Sequence, residues 1–459
     1  LAGGGAGLLV AWWSLNAISL GAQGNLPFMP ELRLDTHLLV FSILASLGSG
    51  LVFGLFPALQ SVVPKLKPAQ KSGNRIRHGL VVSQVALAVV LLIGSGLLFK
   101  SLVFLLKAET GFTPQHTLGM DITLSTTKYP DGQSRNRFFR QAFEQLAALP
   151  GVVAVGSATM LPMTGGSLGG SVMVENRVIQ PEFGYSCGFD VVGGEYFRAM
   201  GIGILKGRDF DEHDAALKAA RVCIVNAAFA AQLFPDEEAL GKRIRWNGEA
   251  WEIVGIAQSI RHYSLDQERP DERLYVPQIM PGPTASLIVR TKGEPLTLVH
   301  AARDALLALD SEQPVSNSRT LEQAVAGSTA SRRFTLLLVS LFASLALGLS
   351  VMGIYSVLAY TVTRRTHEIG IRMAVGAQRS DILWLVLRDG MKLALIGTGI
   401  GTISALALTR VMRSFLFEVA PTDPMIFIVV SILLLLIAIV ACWLPARRAA
   451  NVDPMEALR

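Results

Sequence analysis

At 459 residues, 51% of them hydrophobic and only 17% charged, with a mean hydropathy of +0.44, the chain is too apolar for an ordinary soluble enzyme. It reads as a membrane protein with a soluble part. The formal net charge of +6 would suit a nucleic-acid binder, but residues 106–333 carry 23 Lys and Arg against 26 Asp and Glu, so the basic excess lies entirely outside them. Basic loops beside membrane spans account for that excess, and no nucleic-acid partner is needed.

Six apolar runs approach or exceed the roughly 20 residues a helix needs to cross a bilayer: 1–20, 38–56, 80–106, 334–360, 382–408 and 425–444. The first begins at Leu1 within a glycine-rich stretch, with neither an initiator methionine nor a signal peptide, so an N-terminally truncated fragment is expected. The loop 57–79 carries Lys65, Lys67, Lys71, Arg75 and Arg77, whereas 21–37 carries only Arg33, which makes the first cytoplasmic and the second external. Alternation then places 106–333 outside, and 363–381 and the tail 445–459 inside. Arg364, Arg365, Arg372, Arg447 and Arg448 agree with that threading.

A weak internal repeat runs through these segments. Gly3-x-Gly-x-Gly7 matches Gly397-x-Gly-x-Gly401, and Pro57-Ala58 matches Pro445-Ala446, each copy ordered as glycine-rich span, external loop, span, Pro-Ala and basic segment. Repeats of this sort build many transporters. Gly397, Gly399 and Gly401 are expected to let helix backbones approach closely, because lipid removes the hydrophobic drive between helices and leaves van der Waals contact to hold them.

The external region mixes strand and helix patterns. A helix over 134–149 would put Phe138, Phe139, Ala142, Phe143, Leu146 and Leu149 on one face; 152–157, 221–225, 251–256 and 286–290 read as strands; Asn226 caps a helix through Phe234, and 295–309 supplies another. Gly165-Gly166-Ser-Leu-Gly169-Gly170 reads as a flexible loop. Cys187 and Cys223 could pair in an oxidising compartment, but two buried free thiols are favoured, with Cys442 in an apolar run. Asp209, Asp211, Glu212, His213 and Asp214 lack the glycine turn and terminal glutamate of a calcium loop and read as solvated surface. Asp389 and Lys392, three residues apart in the first turns of a span, read as a structural interfacial pair. No Walker motif occurs, so nucleotide hydrolysis would need a separate subunit; no catalytic residue, metal site or cofactor is assigned.

The segment Thr363-Arg-Arg-Thr-His-Glu-Ile-Gly-Ile-Arg-Met-Ala-Val-Gly-Ala377 joins a basic amphipathic stretch directly to a long apolar helix. Its Glu368-Ile-Gly-Ile-Arg372, Ala374 and Gly376-Ala377 resemble the coupling segment of MacB/FtsX-like ABC transporter permeases, a short helix docked on the ATPase. Further phrases resemble the MacB-like periplasmic core domain: Gly194-Glu-Tyr-Phe-Arg-Ala-Met-Gly201, Gly207-Arg-Asp-Phe210, Leu240-Gly-Lys-Arg-Ile244, Ile253-Val-Gly255, Tyr275-Val-Pro277 and Arg319-Thr-Leu321. The duplicated arrangement resembles large acidobacterial-type permeases.

The fold class expected is an α-helical transmembrane protein with about six spans in FtsX-like repeats and a large extracytoplasmic α+β domain. Residues 1–79 would end a first repeat with its cytoplasmic linker, 80–106 open the second, 107–333 form the periplasmic core domain, and 334–459 form the C-terminal membrane domain with a coupling segment at 363–381. The resemblance implies ATPase-coupling roles for Arg364, Arg365, Glu368, Ile369, Gly370, Arg372, Ala374, Gly376 and Ala377. It also implies placement in the bacterial inner membrane and a separate ABC ATPase. A second permease unit or repeat, a periplasmic adaptor and an outer-membrane channel are further partners it leaves open, besides membrane lipid. Residues 334–366 as one helix would be about 50 Å long, more than the roughly 30 Å hydrocarbon core, and could carry ATP-driven motion to the outer side. Efflux of an antibiotic, peptide or lipid-linked cargo is the function this implies. The alternatives are a regulator that activates a wall hydrolase without moving substrate, and a ligand sensor.

Overall fold

With no proline and no acidic side chain between Arg77 and Lys107, nothing interrupts the first described helix, α1 (Ala69–Lys107). The computed structural model describes residues 69–450 except 176, 178–181, 217–219, 268, 280 and 376–377, together with positions 40, 44, 47 and 48. Apart from those four positions, the first two apolar runs lie outside the described residues, as do the first copy of the glycine and Pro-Ala repeat and the tail from 451. The chain divides into two compact units, one made of Leu105–Ser331 and the other of the membrane segments on either side of it.

The 105–331 unit begins with β1 (Thr117–Thr123), α2 (Gly132–Ala147) and β2 (Val152–Ala158). Next come β3 (Leu168–Val174), β4 (Tyr185–Gly194), α3 (Tyr196–Met200), β5 (Ile204–Gly207), β6 (Val222–Asn226) and α4 (Ala227–Leu233). They are followed by β7 (Arg243–Trp246), β8 (Glu249–Ala257), β9 (Arg273–Pro277) and β10 (Thr284–Thr291). A 3-10 turn at Pro295–Leu298 leads into α5 (Val299–Leu309), so the helix expected over 295–309 opens as a tighter turn with proline at its start; β11 (Val315–Thr320) and α6 (Leu321–Ser328) close the unit.

Two arrangements share one sheet. Strands in the order β11-β1-β10-β2, all antiparallel, form an open sheet whose β-α-β halves are β1-α2-β2 and β10-α5-β11. Phe138, Phe139, Ala142 and Leu146 of α2 and Ala302 and Leu306 of α5 are buried with Leu118, Met120, Leu287 and Val289 of the strands. Asp131 starts α2 by accepting the Ser134 N–H at 2.7 Å. Between β2 and β10 the chain builds the second arrangement. Here β4-β3-β7-β8-β6-β9 returns to β4 through a parallel β4–β9 pairing, closing a ring around Val172, Cys187, Cys223, Ile244, Trp246, Ile253 and Leu274. All three cysteines are unpaired and buried. The run Gly165–Gly170 is not wholly a loop, since Leu168 to Gly170 pair with Phe189 to Cys187 as the start of β3.

A buried polar hub ties the ring to its loops. Arg273 is fully buried, donates to Asp190 at 2.6 Å and to Ser167 Oγ at 3.1 Å, and has Asp271 at 3.7 Å. Asn226 caps α4 by accepting the Phe229 N–H, and its side chain also takes the Arg273 N–H and donates to the Asp271 carbonyl, which explains why an asparagine stands at that cap. His262 is fully buried with Asp190 3.9 Å away, and its pKa is pushed down to about 4, chiefly by burial, with Asp190 opposing and Arg273 adding to the shift.

The membrane unit continues with α7 (Ala330–Arg364), α8 (Thr366–Ala374), α9 (Arg379–Val411), a 3-10 turn at Met412–Phe415, and α10 (Pro424–Ala450). Among the described residues four helices, α1, α7, α9 and α10, are long and apolar enough to cross a membrane. The single helix expected over 334–366 in fact ends at Arg364, because Arg365 (φ −101°, ψ 11°) leaves helical geometry and a separate helix begins at Thr366.

Contacts between α1 and α7 slide in opposite directions, from Arg77 over the Tyr360 ring at 4.3 Å, through Gln84 against Gly353, to Ser95 and Ser340 hydroxyls 2.7 Å apart. The two helices are therefore antiparallel neighbours over about 27 Å, close to the depth of a bilayer core. Toward their other end Lys100 pairs with Asp423, and Ser101 Oγ accepts the Phe417 N–H at 2.8 Å.

Candidate coupling site

The joint between α7 and α8 is where the sequence places a partner-contacting surface. The Arg365 N–H still bonds to the Thr361 and Val362 carbonyls at 3.1 and 3.0 Å, so α7 is closed off by its own last turn before the chain changes direction. Glu368 lies in the first turn of α8 and Arg372 in the last, each at the end of the helix dipole that favours its charge, and the two pair at 2.7 Å one turn apart. A capping box formed by Gln378 and Asp381 starts α9.

The expected coupling residues divide into two sets. Ile369 is 2% exposed and belongs to the membrane unit's core with Leu358, Ile382 and Val386. Arg365 Nη1 reaches Asp389 Oδ2 of α9 at 3.4 Å, and Lys392 stands 3.8 Å from the same carboxylate. Ile369 and Arg365 thus hold α8 onto α7 and α9. Glu368 and Arg372 lie outward, and beside them Ile371 and Val375 are 45% and 84% exposed. Gly370 and Ala374 are within α8, and Gly376 and Ala377 lie outside the described residues. Arg364 stacks over Tyr360 at 5.1 Å, on the ring that Arg77 also contacts.

Three residues at the joint carry no assigned coupling role in the sequence. Asp389 was assigned only to a local pair with Lys392, because its partner across the joint stands 24 positions away in the chain. Ile371 and Val375 are apolar, and it is the burial of Ile369 beside their own exposure that shows they point outward.

The glycines of α9 behave unequally. A Cβ at Gly397 would lie 2.7 Å from Val85 Cβ, and one at Gly401 would lie 2.7 Å from Val89 Cβ and 2.8 Å from the Ala86 carbonyl, so both sit where α9 and α1 nearly touch. At Gly399 a Cβ would meet nothing within 4 Å. Packing therefore uses the pair one turn apart, and Gly399, between them, faces away from the contact. In the acidic loop, Asp214 takes two bonds from Arg208 at 2.6 and 2.9 Å, a structural clamp that holds its pKa below the usual carboxylate range against the effect of burial.

Residues 79–309 match the family model described as MacB-like periplasmic core domain, and residues 340–454 match FtsX-like permease C-terminal. The chain is 32% identical over 291 residues to the macrolide export ATP-binding/permease protein MacB of Campylobacter jejuni strain 81-176, an alignment covering 58% of this chain and 43% of that protein. It is 30% identical over 296 residues to MacB of Agrobacterium fabrum, covering 58% and 42%. These alignments thus span well under half the length of those relatives. Among solved structures, the periplasmic region of MacB from Actinobacillus actinomycetemcomitans aligns at 17% identity with a TM-score of 0.32, covering 47% of this chain and 94% of that one. The extracellular domain of the transporter YknZ from Gram-positive bacteria aligns at 16% identity with a TM-score of 0.30, covering 44% and 100%.

Proposed function

Since the chain belongs to the permease family that joins a MacB-like periplasmic core domain to an FtsX-like membrane domain, we propose that it is the permease subunit of an ATP-driven efflux system of the bacterial inner membrane. Permeases of this family work with an ABC ATPase, and the domains matched here are of permease type.

In this reading the outward side of α8, with Glu368, Ile371 and Arg372, and Val375 at its C-cap, docks on a separate ATPase subunit. Ile369 and the Arg365–Asp389 contact tie α8 and its joint to α7 and α9, so that the three move together. The observation that carries the proposal is the continuity of α7 and α1. Both are long enough to span, both are free of proline across the span, and in sequence they lead directly into the 105–331 unit at its two ends. Displacement at α8 is then delivered to the periplasmic domain through rods with no proline kink to absorb it. The cargo is an antibiotic, a peptide or a lipid-linked molecule; the relatives' export of macrolides favours the first.

The test is efflux by the full-length permease expressed with an ABC ATPase with which it forms a complex, in cells stripped of their own exporters. Resistance to a macrolide or an antimicrobial peptide is expected to rise several-fold, and Ile371→Asp with Val375→Asp is expected to return it to background. Unchanged resistance and accumulation, together with altered cell-wall hydrolysis, would instead support a regulator that moves no substrate.

A further inference from the structure

Among the described residues, the face of the membrane unit between α7 and α10 carries an open groove. The two helices run in the same direction there, and Met352 and Tyr355 of α7 with Val440 and Leu444 of α10 line a space of about 450 Å³. Cavities of roughly 300–1,000 Å³ are the size that holds a sizeable apolar ligand. Met352 and Val440 are each 68% exposed, and Leu444 is 47% exposed.

One end of the groove is cationic. Arg448 Nη1 donates to the Tyr355 hydroxyl at 2.8 Å, while Arg447 lies over the Trp443 ring at 5.4 Å. Both arginines are exposed, and among the described residues no carboxylate pairs with either. A guanidinium has five N–H donors, so the bond to Tyr355 leaves Arg448 able to bind an anion while Tyr355 holds it at the groove mouth. An apolar slot with a fixed cation at the cytoplasmic end of two spans calls for a ligand with one apolar arm and one anionic head.

We propose that this groove is a resident site for an anionic phospholipid of the cytoplasmic leaflet, one acyl chain lying between α7 and α10 and the phosphate taken by Arg448. The contact links α7 to α10 through the lipid, separately from the Arg365–Asp389 contact between the α7–α8 joint and α9.

The test is native mass spectrometry of the full chain in detergent, titrated with phosphatidylglycerol and, separately, phosphatidylcholine. The unaltered protein is expected to retain phosphatidylglycerol about fivefold better, the effect of roughly one favourable basic contact at a membrane surface. Arg448→Gln is expected to abolish that preference while leaving elution as a folded species unchanged. Val440→Trp, which fills the groove without adding charge, is expected to lower retention of both lipids. Equal retention of the two lipids by the unaltered protein would overturn the proposal, as would a preference that survives both variants. Efficient cross-linking of Met352→Cys between two copies in lipid nanodiscs would also overturn it, by giving the groove to a second chain.

Discussion

The side chains that seat α8 on its neighbours are separable from those that it turns outward. Ile369 is buried among Leu358, Ile382 and Val386, so Ile369→Ala should remove about 2–5 kcal/mol from the seating of α8, by lost transfer energy and the cavity left behind. Ile371→Ala, on the exposed side, should leave stability nearly unchanged while weakening ATPase association. Thermal unfolding and co-purification, measured on both variants, separate these effects. A second residue-scale prediction concerns the polar hub of the periplasmic unit. His262 is buried as the neutral form, with Asp190 and Arg273 as its charged neighbours, and its pKa of about 4 lies below the ordinary value of 6.5. The unfolded state therefore binds a proton first as pH falls. Stability is fully present above about pH 6.5, declines below it and is lost as pH passes through 4, about 3 kcal/mol in all. His262→Gln should flatten that decline in unfolding experiments between pH 4 and 7; an unchanged slope would place the acid sensitivity elsewhere.

At the level of elements, four of the six expected spans fall on described helices, and they were legible because a bilayer demands length and apolarity, which a sequence displays directly. Helix starts were legible where a cap has a local signature, as at Asn226. What the sequence hid was set by distant partners. The ring closes through β4–β9 and β6–β8, parallel pairings between strands remote or separately embedded in the chain, and no local pattern encodes them. β3 begins in a glycine-rich stretch that resembles a linker, and becomes a strand because β4 pairs with it. The break at Arg365 was hidden by an unbroken helical composition on both sides. The glycines of α9 were singled out as a group, yet their spacing around the helix assigns contact with α1 to two of the three. Gly401→Ala should cost about 1–3 kcal/mol through overpacking against Val89 and the Ala86 carbonyl, whereas Gly399→Ala should be neutral or slightly stabilising. Thermal unfolding in one detergent compares the two; equal losses would mean that α9 does not pack on α1 as described.

For the molecule as a whole, the proposed function needs α8, the joint at Arg365 and the two long helices α1 and α7 to act as one path. The antiparallel contacts of α1 and α7 at Arg77–Tyr360, Gln84–Gly353 and Ser95–Ser340 tie the rods to each other along the span. Motion imposed on one is expected to carry the other. The central claim is that α8 receives the ATPase's motion. Its most direct test is the ATP hydrolysis rate of an ABC ATPase subunit reconstituted with the full-length permease, compared between the unaltered chain and Ile371→Asp with Val375→Asp. Loss of complex formation and of permease-stimulated hydrolysis, with the permease still folded, is the result predicted. Undiminished binding and stimulation would contradict it and leave α8 as a lipid-facing anchor.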